Sequence, residues 1–275
     1  MKYGFTLPRG DARIAAEFAH DAEAAGWDGF FVWEAVWSVD AWVSLTAAAM
    51  RTERIRLGTM ITPLSRMRPW RVASQTATLD HLSHGRLILA VGLGALDTGF
   101  AEFGEATDRK IRAELLDEGL DILTGLWRGQ PFSYTGKHYT IQPLDFVPPP
   151  PPVQQPRIPI WVVGAWPREK SMRRAARYDG LLPTAMGDDG KVRMSGATFD
   201  ELRAMKTYIE KRRTLTTPFD IVVEGSTPGA DAGEAARLLQ PWAEAGATWW
   251  LETMWETKDL EEVHTRIRQG PPRLN

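Results

Sequence analysis

A chain of 275 residues with ordinary apolar and charged fractions has the composition of a globular protein that buries a sizeable core. Its formal net charge of −2 argues against binding to nucleic acid or to an anionic membrane, and the absence of cysteine excludes disulfides and thiolate chemistry. No apolar stretch typical of a signal peptide follows Lys2, and no window approaches the ~20 apolar residues of a membrane span. We therefore expect a soluble, cytoplasmic protein.

Strand-like and helix-like patterns alternate along the chain, which is typical of an α/β barrel or a doubly wound sheet. In the first half, β-branched and apolar runs predict strands, and apolar residues at helical spacing predict the helices between them. Asp11 is placed to cap the first helix, and Gly26 to end it. The predicted strands cover residues 3–7, 30–34, 56–61 and 86–91, and the predicted helices cover residues 12–25, 40–50, 70–82 and 108–127.

The second half opens with an irregular segment at residues 129–152. We interpret it as a hairpin around residues 134–137, followed by a proline run at 148–152 that crosses the barrel bottom in extended form. Pro167 suits the first turn of the fifth helix, and the polar residues 186–196 are predicted to form a mobile lid. The remaining strands are predicted at residues 160–163, 181–184, 219–224 and 248–254, and the remaining helices at 168–178, 199–211, 231–245 and 259–268.

Eight strand–helix pairs without a linker predict one α/β domain, a single-domain (β/α)8 TIM barrel over residues 1–275. In such barrels the working residues lie at the C-terminal ends of the strands, whereas the opposite face serves stability. Asp80, His81, His84 and Arg86 precede the fourth strand and are assigned to capping and ion pairing on that opposite face. None of the five histidines follows a strand, which argues against a histidine triad or a histidine-rich metal site.

Glycine, acid and aromatic residues follow the predicted strands. Glycine lets a planar ring or a phosphate approach the backbone, and the free N–H groups that begin the fifth helix favour a phosphate near residues 164–167. Four tryptophans at strand ends could form the wall of an apolar pocket or pack in the core: Trp33, Trp37, Trp166 and Trp255. Four others fall on helices and are expected in the core or at a subunit contact: Trp27, Trp42, Trp70 and Trp127.

Several segments also resemble the luciferase-like monooxygenase family, whose members are flavin- or deazaflavin-dependent (β/α)8 barrels. They are AEAAGWDGFFVWE at 22–34, GTMITP at 58–63, RPW at 68–70, ATLDHLSHGRLILAVGLG at 77–94, PPPPPVQQPRIPIWVVGAWP at 148–167, RRAARYDG at 173–180 and, more weakly, EAGATWWLE at 244–252. The resemblance implies that residues 59–62 back an isoalloxazine-type ring, with a non-proline cis peptide at Thr59–Met60 or Met60–Ile61. It also assigns Glu34 as the catalytic acid. Deazaflavin-dependent relatives often have a histidine after this acid, whereas this chain has Ala35, which disfavours a histidine-assisted dehydrogenase mechanism.

The implied site residues fall into two groups. Those expected to bind the cofactor are Thr59, Met60, Ile61, Thr62, Gly92, Gly94, Gly164, Ala165, Trp166 and Thr184. Those expected to face the substrate are Trp33, Trp37, Glu224 and Trp255, and no metal is implied.

The favoured function is oxygenation of an apolar or aromatic small molecule with reduced FMN, and hydride transfer with a deazaflavin coenzyme stays open. One alternative is a flavin-binding barrel without turnover, favoured if Met60 or Trp166 fills the pocket. A more distant one is a non-flavin hydrolase with paired acids among Glu34, Glu224 and Glu252. The resemblance further implies a homodimer through the second and third helices, with Trp42 and Trp70 at its face, and a separate flavin reductase if FMN is the cofactor.

Overall fold

The computed structural model describes residues 1–129, 131–143, 149–193 and 195–274. In these residues eight parallel strands form one closed barrel, in the order β1-β10-β9-β8-β7-β4-β3-β2, and a two-stranded antiparallel hairpin, β5-β6, lies outside it. The strands are β1 Lys2–Leu7, β2 Gly29–Val32, β3 Arg56–Thr59, β4 Leu87–Val91, β5 Tyr134–Thr135, β6 Thr140–Ile141, β7 Ile160–Trp166, β8 Gly180–Ala185, β9 Asp220–Gly225 and β10 Trp249–Thr253. The predicted barrel and hairpin are confirmed.

In the part of the chain that the structure describes, eight α-helices follow the barrel strands. They are α1 Ala12–Ala24, α2 Ala41–Ala49, α3 Pro69–Leu82, α4 Arg109–Trp127, α5 Glu169–Ala176, α6 Phe199–Arg212, α7 Ala232–Ala245 and α8 Leu260–Arg268. Side-chain caps satisfy the free N–H groups at six helix starts. The capping residues are Asp11, Asp40, Asp108, Thr198, Asp231 and Asp259. No helix of the described residues is long and apolar enough to cross a membrane.

Large aromatic side chains fill the lower part of the barrel. Phe31 is fully buried there, and its ring lies 5.4 Å from that of Trp161 and 6.1 Å from that of Trp249, measured between centroids. Three glycines, one on β2 itself and one on each neighbouring strand, make room for Phe31, since a Cβ on them would lie 2.7, 2.7 and 2.8 Å from its ring: Gly29, Gly4 and Gly58. This packing fills the lower part of the barrel, so we expect a ligand site at the C-terminal ends of the strands.

The residues before β4 have the structural role that was predicted for them. Arg86 is 7% exposed and donates from Nη2 to the carbonyl oxygens of Ala49 and Thr52, at 3.1 and 2.8 Å. Its bonds go to carbonyl and hydroxyl oxygens, so the predicted ion pairing is wrong for this residue. Asp80 accepts from the side-chain Nε2 of Gln154 at 2.7 Å, which ties the segment after the proline run to the barrel bottom.

Three predicted boundaries differ from the structure. The strands predicted at 30–34 and 56–61 end at Val32 and Thr59, and the Met60–Ile61 peptide is cis, at one of the two predicted positions. The strand predicted at 160–163 continues to Trp166, because it pairs with β8 as far as the register Trp166↔Ala185. Arg168 is then the N-cap of α5, so Pro167 precedes the helix instead of lying in its first turn.

The predicted lid at 186–196 folds back on itself. Met186 forms an antiparallel bridge with Val192, and the N–H of Gly187 donates to the carbonyl of Lys191 at 2.8 Å. Residue 194 lies outside the described residues, as do residues 144–148, which include the first of the five prolines. The mobility of the lid stays a prediction.

Candidate active site at the barrel mouth

A large cavity of about 1270 Å³ opens at the C-terminal ends of strands β3, β4, β7, β8 and β9. Its inner walls are largely apolar and are formed by Met60, Ile61, Leu93, Val163, Leu182, Val222, Val223, Trp242 and Trp255. A tricyclic ring and a small apolar substrate have room in a cavity of this size, which exceeds the upper range of about 1,000 Å³ for ordinary ligand pockets.

Five of the predicted cofactor-binding residues lie on the cavity wall: Met60, Ile61, Gly94, Ala165 and Thr184. Thr59 and Thr62 are fully buried behind this wall. The Thr62 hydroxyl donates to Oγ1 of Thr59 at 3.0 Å, and the Thr59 hydroxyl donates to the carbonyl of Ala90 at 3.1 Å. These two threonines therefore fix the segment that carries the cis peptide to β4, and Met60 and Ile61 present the surface that a ligand meets.

Gly92, Gly164 and Trp166 do not line the cavity. A Cβ on Gly92 would collide with the side chain of Ile61 and lie 2.9 Å from Val163, and a Cβ on Gly164 would collide with Leu181. At these two positions glycine makes room for a neighbouring side chain, and their contact with a bound cofactor stays a prediction. Trp166 packs edge-on against Tyr208, at 6.0 Å between centroids, and leaves the pocket open.

Glu34, the predicted catalytic acid, lies in the loop after β2 and does not line the cavity. Burial raises the pKa of its carboxyl group from 4.5 to about 7, although Arg66 and Thr62 act in the opposite direction. Its buried Oε2 atom has no hydrogen-bond partner among the described residues. Glu34 can therefore exchange a proton near neutral pH, beside the segment that carries the cis peptide. Its contact with a bound ring stays a prediction.

The predicted substrate-facing residues divide between the wall and the surface. Glu224 and Trp255 line the cavity, and Trp33 packs edge-on against Trp255 at 6.3 Å while its Nε1 donates to the carbonyl of Pro8 at 2.8 Å. Trp37 is 82% exposed, so its predicted place in the wall is wrong.

Glu252 does not face the cavity either. Its side chain is fully buried against Thr227, Trp250 and Arg266, on the outer side of β10. The paired acids that a hydrolase would need are therefore not assembled, because Glu224 alone of the three candidates lines the cavity.

The sequence patterns did not predict a group of basic residues that surrounds the cavity mouth, which we call the basic rim. It comprises Arg109, Lys110, Arg112, Arg168, Lys170, Arg174 and Lys191. Among the described residues, only Arg174 of this group has a carboxylate partner within 4 Å, namely Asp117. These residues come from the start of α4, from α5 and its N-cap, and from the predicted lid, so no single stretch of sequence shows the cluster.

The electrostatics of the basic rim favour an anion. Burial lowers the pKa of Arg168, and the nearby Arg109 lowers it further, since two like charges face each other. Arg168 donates from Nη2 to the carbonyl of Gly190 at 2.6 Å, which connects α5 to the lid. A phosphate placed between such cations would relieve their repulsion and accept charge-assisted hydrogen bonds.

Comparison with known proteins identifies the family of this chain. The sequence model of the luciferase-like monooxygenase family matches residues 4–270, and the chain therefore belongs to this family. It is 31% identical over 176 residues to an F420-dependent glucose-6-phosphate dehydrogenase of Rhodococcus erythropolis, which covers 62% of this chain and 45% of that protein. The chain spans about half the length of the curated relatives it matches.

Solved structures share the fold. The coenzyme F420-dependent tetrahydromethanopterin reductase of Methanopyrus kandleri superposes with a TM-score of 0.77 at 17% identity, covering 98% of this chain and 96% of that one. A type II Baeyer-Villiger monooxygenase of Pseudomonas putida, solved in complex with FMN, gives a TM-score of 0.65 at 19% identity, covering 87% and 71%.

Proposed function

We propose that this protein is a flavin- or deazaflavin-dependent oxidoreductase, with oxygenation of an apolar or aromatic small molecule as the favoured reaction. The observation that carries the proposal is the pairing of an apolar cavity with a basic rim at its mouth. Flavin and deazaflavin coenzymes combine a flat ring with a phosphate-bearing tail, and this cavity offers a surface for each part.

The residues that line the cavity are suited to hold a flavin or deazaflavin coenzyme. Met60 and Ile61 offer an apolar surface at the end of β3, and the basic rim supplies cations that lack carboxylate partners among the described residues, apart from Arg174. Ala165 lies in β7 just before α5, and its N–H donates to the hydroxyl of Ser171 at 3.0 Å, while that hydroxyl donates to the carbonyl of Val163 at 3.3 Å. Ser171 thereby fixes the start of α5 to the end of β7 at the cavity edge.

The chain itself would bind the cofactor, orient the substrate and exclude water. When bound, reduced FMN supplies oxygenation chemistry and a reduced deazaflavin supplies a hydride, so the protein needs only to hold ring and substrate together. Leu182, Val222 and Val223 keep the inner cavity apolar, which limits the access of water to the reacting atoms. Glu34, with its pKa raised to about 7, can hold or release a proton close to neutral pH.

A titration tests the cofactor assignment. Purified protein is titrated separately with FMN and with the deazaflavin coenzyme, and binding is followed by quenching of ligand fluorescence. We expect one of them to bind tightly and to protect the protein against thermal unfolding. Binding of neither would contradict the proposal.

With FMN, oxygen uptake is then measured after a flavin reductase, its nicotinamide donor and an aromatic ketone are added, because the oxygenase assignment requires uptake that depends on the ketone. Ala35 favours FMN-dependent oxygenation over a histidine-assisted hydride transfer.

The open cavity disfavours a barrel that binds flavin without turnover. That alternative needs Met60 or Trp166 to fill the pocket, whereas Met60 lines a cavity of about 1270 Å³ and Trp166 packs on Tyr208.

We also propose a homodimer, in a form that differs from the predicted one. Trp42 is 5% exposed and belongs to the core, so it is not available to a partner. Trp70 is 44% exposed and Val43 is 59% exposed, on α3 and α2. Light scattering after size exclusion tests this assembly, and a monomer at micromolar concentration would contradict it. A separate flavin reductase belongs to the proposal only if FMN binds.

A further inference from the structure

Arg66 is a partly buried cation near the barrel mouth whose charge is not matched by an ion pair. It ends the one-turn 3-10 helix Leu64–Arg66, which follows the segment after β3. Among the described residues its guanidinium has no carboxylate within 4 Å, and its Nε is buried without a hydrogen-bond partner. An unsatisfied buried group of this kind is uncommon in native proteins and often marks a functional site.

Two hydrogen bonds fix the position of this cation. Nη2 of Arg66 donates to the carbonyl of Ala35 at 2.7 Å, so the guanidinium lies against the residue that follows Glu34. The hydroxyl of Ser65 donates to the carbonyl of Leu93 at 3.0 Å, which connects the one-turn helix to the loop after β4. The cation is therefore held between the loop after β2 and the cavity wall, since Leu93 lines the cavity.

Glu34 lacks a partner in the complementary way, because its Oε2 atom is buried without a hydrogen bond. Burial raises the pKa of its carboxyl group, Arg66 opposes this effect, and Asp40 adds to it. The carboxylate of Asp40 is occupied in capping α2, where its Oδ1 accepts the N–H groups of Trp42 and Val43 at 2.8 and 2.9 Å. Arg66 is thus the cation available to an ionised Glu34.

The loop after β2 has anchors other than Arg66. Nε1 of Trp33 donates to the carbonyl of Pro8 at 2.8 Å, which connects the start of the loop to the end of β1. The N–H of Val36 donates to the carbonyl of Thr98 at 3.1 Å, which connects it to the loop after β4. Because the loop is fixed on both sides of the acid, the charge of Arg66 has an effect that is separate from loop anchoring.

We propose that Arg66 is a positioning residue for Glu34: its charge stabilises the ionised form of this acid, so that Glu34 can release a proton as well as hold one. A carboxyl group in a buried site stays protonated without a nearby cation, because ionisation away from water is costly. With the cation present, both forms are accessible near neutral pH, as general acid–base chemistry requires. The inference rests on the proposed function for its catalytic meaning.

The titration of Glu34 in the protein without coenzyme tests the inference. Infrared difference spectra over a pH series follow the carbonyl band of the protonated carboxyl group, and the loss of this band in Glu34→Gln assigns it. Arg66→Gln removes the charge and keeps an N–H donor for the carbonyl of Ala35. We expect the midpoint to rise from about 7 in the wild type by roughly one pH unit. Arg66→Lys keeps the charge and should restore the wild-type midpoint.

The direction of the shift separates charge from loop anchoring. If Arg66 only held the loop, Arg66→Gln would let water reach Glu34, and the midpoint would fall toward 4.5. Arg71→Gln is the matched control, because it removes the same charge from an exposed position of α3. This control should titrate as the wild type does.

An unchanged or lower midpoint in Arg66→Gln overturns the inference, as does an equal rise in Arg71→Gln or a failure of Arg66→Lys to restore the midpoint. If Arg66→Gln does not fold, its combination with Glu34→Gln carries the test. Recovery of folding then supports a charge that acts on Glu34, and a double variant that stays unfolded contradicts it. Because no coenzyme is present, a failed coenzyme titration contradicts the proposed function and leaves the midpoints to be read by themselves.

Discussion

Arg266 and Glu252 form an ion pair inside the protein, with the Nε of Arg266 3.2 Å from Oε1 of a fully buried carboxylate. The same carboxylate accepts from the N–H of Thr227 at 2.7 Å and from Nε1 of Trp250 at 2.9 Å. This pair joins β10, the loop after β9 and α8, and its satisfied hydrogen bonds compensate the cost of burying two charges. The last helix is thereby fixed to the barrel wall next to the strand that carries Glu224.

Removing the cation of this pair should destabilise the fold strongly. Arg266→Met leaves the Glu252 carboxylate buried without its counter-charge, and we expect a loss of about 3–5 kcal/mol in the free energy of unfolding. Urea unfolding followed by tryptophan fluorescence measures it. Arg268→Met on the same helix is the control, because that side chain is 57% exposed and lies 3.5 Å from Asp21. In Arg268→Met the free energy of unfolding should fall by less than about 1 kcal/mol. Equal effects at both positions would contradict this account.

Glu34 should make stability depend on pH. Its pKa is 4.5 when exposed and about 7 in the folded protein, so between these values the folded state binds more protons than the unfolded state. Stability should therefore fall as the pH rises from about 4.5 to about 7, by about 3 kcal/mol at 1.36 kcal/mol per pKa unit, and should level off above.

Glu34→Gln removes this titration and tests the sign. Urea unfolding at about pH 4.5, 6 and 8 should show a smaller decline in the variant than in the wild type, because glutamine carries no proton to release. Glu17→Gln, which alters an exposed acid on α1, should preserve the wild-type decline. A decline of equal size in the wild type and in Glu34→Gln would show that other groups cause it.

The basic rim should control cofactor affinity and its salt dependence. Lys110→Met combined with Lys170→Met removes two cations from the cavity mouth, and we expect the affinity for the bound coenzyme to fall roughly thirtyfold, since each charge-assisted contact to a phosphate contributes about 1 kcal/mol at a partly exposed site. The residual binding should depend less on salt. Arg173→Met, on the same helix as Lys170 but exposed outside the cavity, should leave affinity unchanged. Loss of affinity in Arg173→Met would point to net charge as the cause.

Gly92 should be needed for the position of Ile61. In Gly92→Ala the new methyl group would collide with Ile61 and press on Val163, so we expect a loss of about 1–3 kcal/mol from overpacking and weaker coenzyme binding. Differential scanning calorimetry and the coenzyme titration measure the two effects. Gly233→Ala in α7, where the nearest atom lies 3.4 Å from the added Cβ, should stabilise the protein by about 0.5–1 kcal/mol. Unchanged coenzyme binding in Gly92→Ala would contradict the role given to Ile61.

The tryptophans show where sequence patterns stop being informative. Trp33, Trp37, Trp166 and Trp255 all lie at or after the end of a strand, yet of these four only Trp255 lines the cavity, and Trp37 is 82% exposed. A position after a strand fixes the end of the barrel on which a side chain lies. It does not fix whether the loop turns that side chain toward the ligand, toward a helix or toward solvent, because loop direction depends on contacts from distant segments.

The sequence by itself determined the barrel, its capped helices, the family resemblance and the cis peptide next to Met60, since local periodicity, capping residues and one recognisable segment carry that information. Only the tertiary structure decided that Glu224 faces the cavity while Glu252 is bound to Arg266, and that basic residues of α4, α5 and the lid meet at one mouth. The physical reason is that barrel closure brings together residues far apart in the chain, and their charges and burial have no signature in any single stretch.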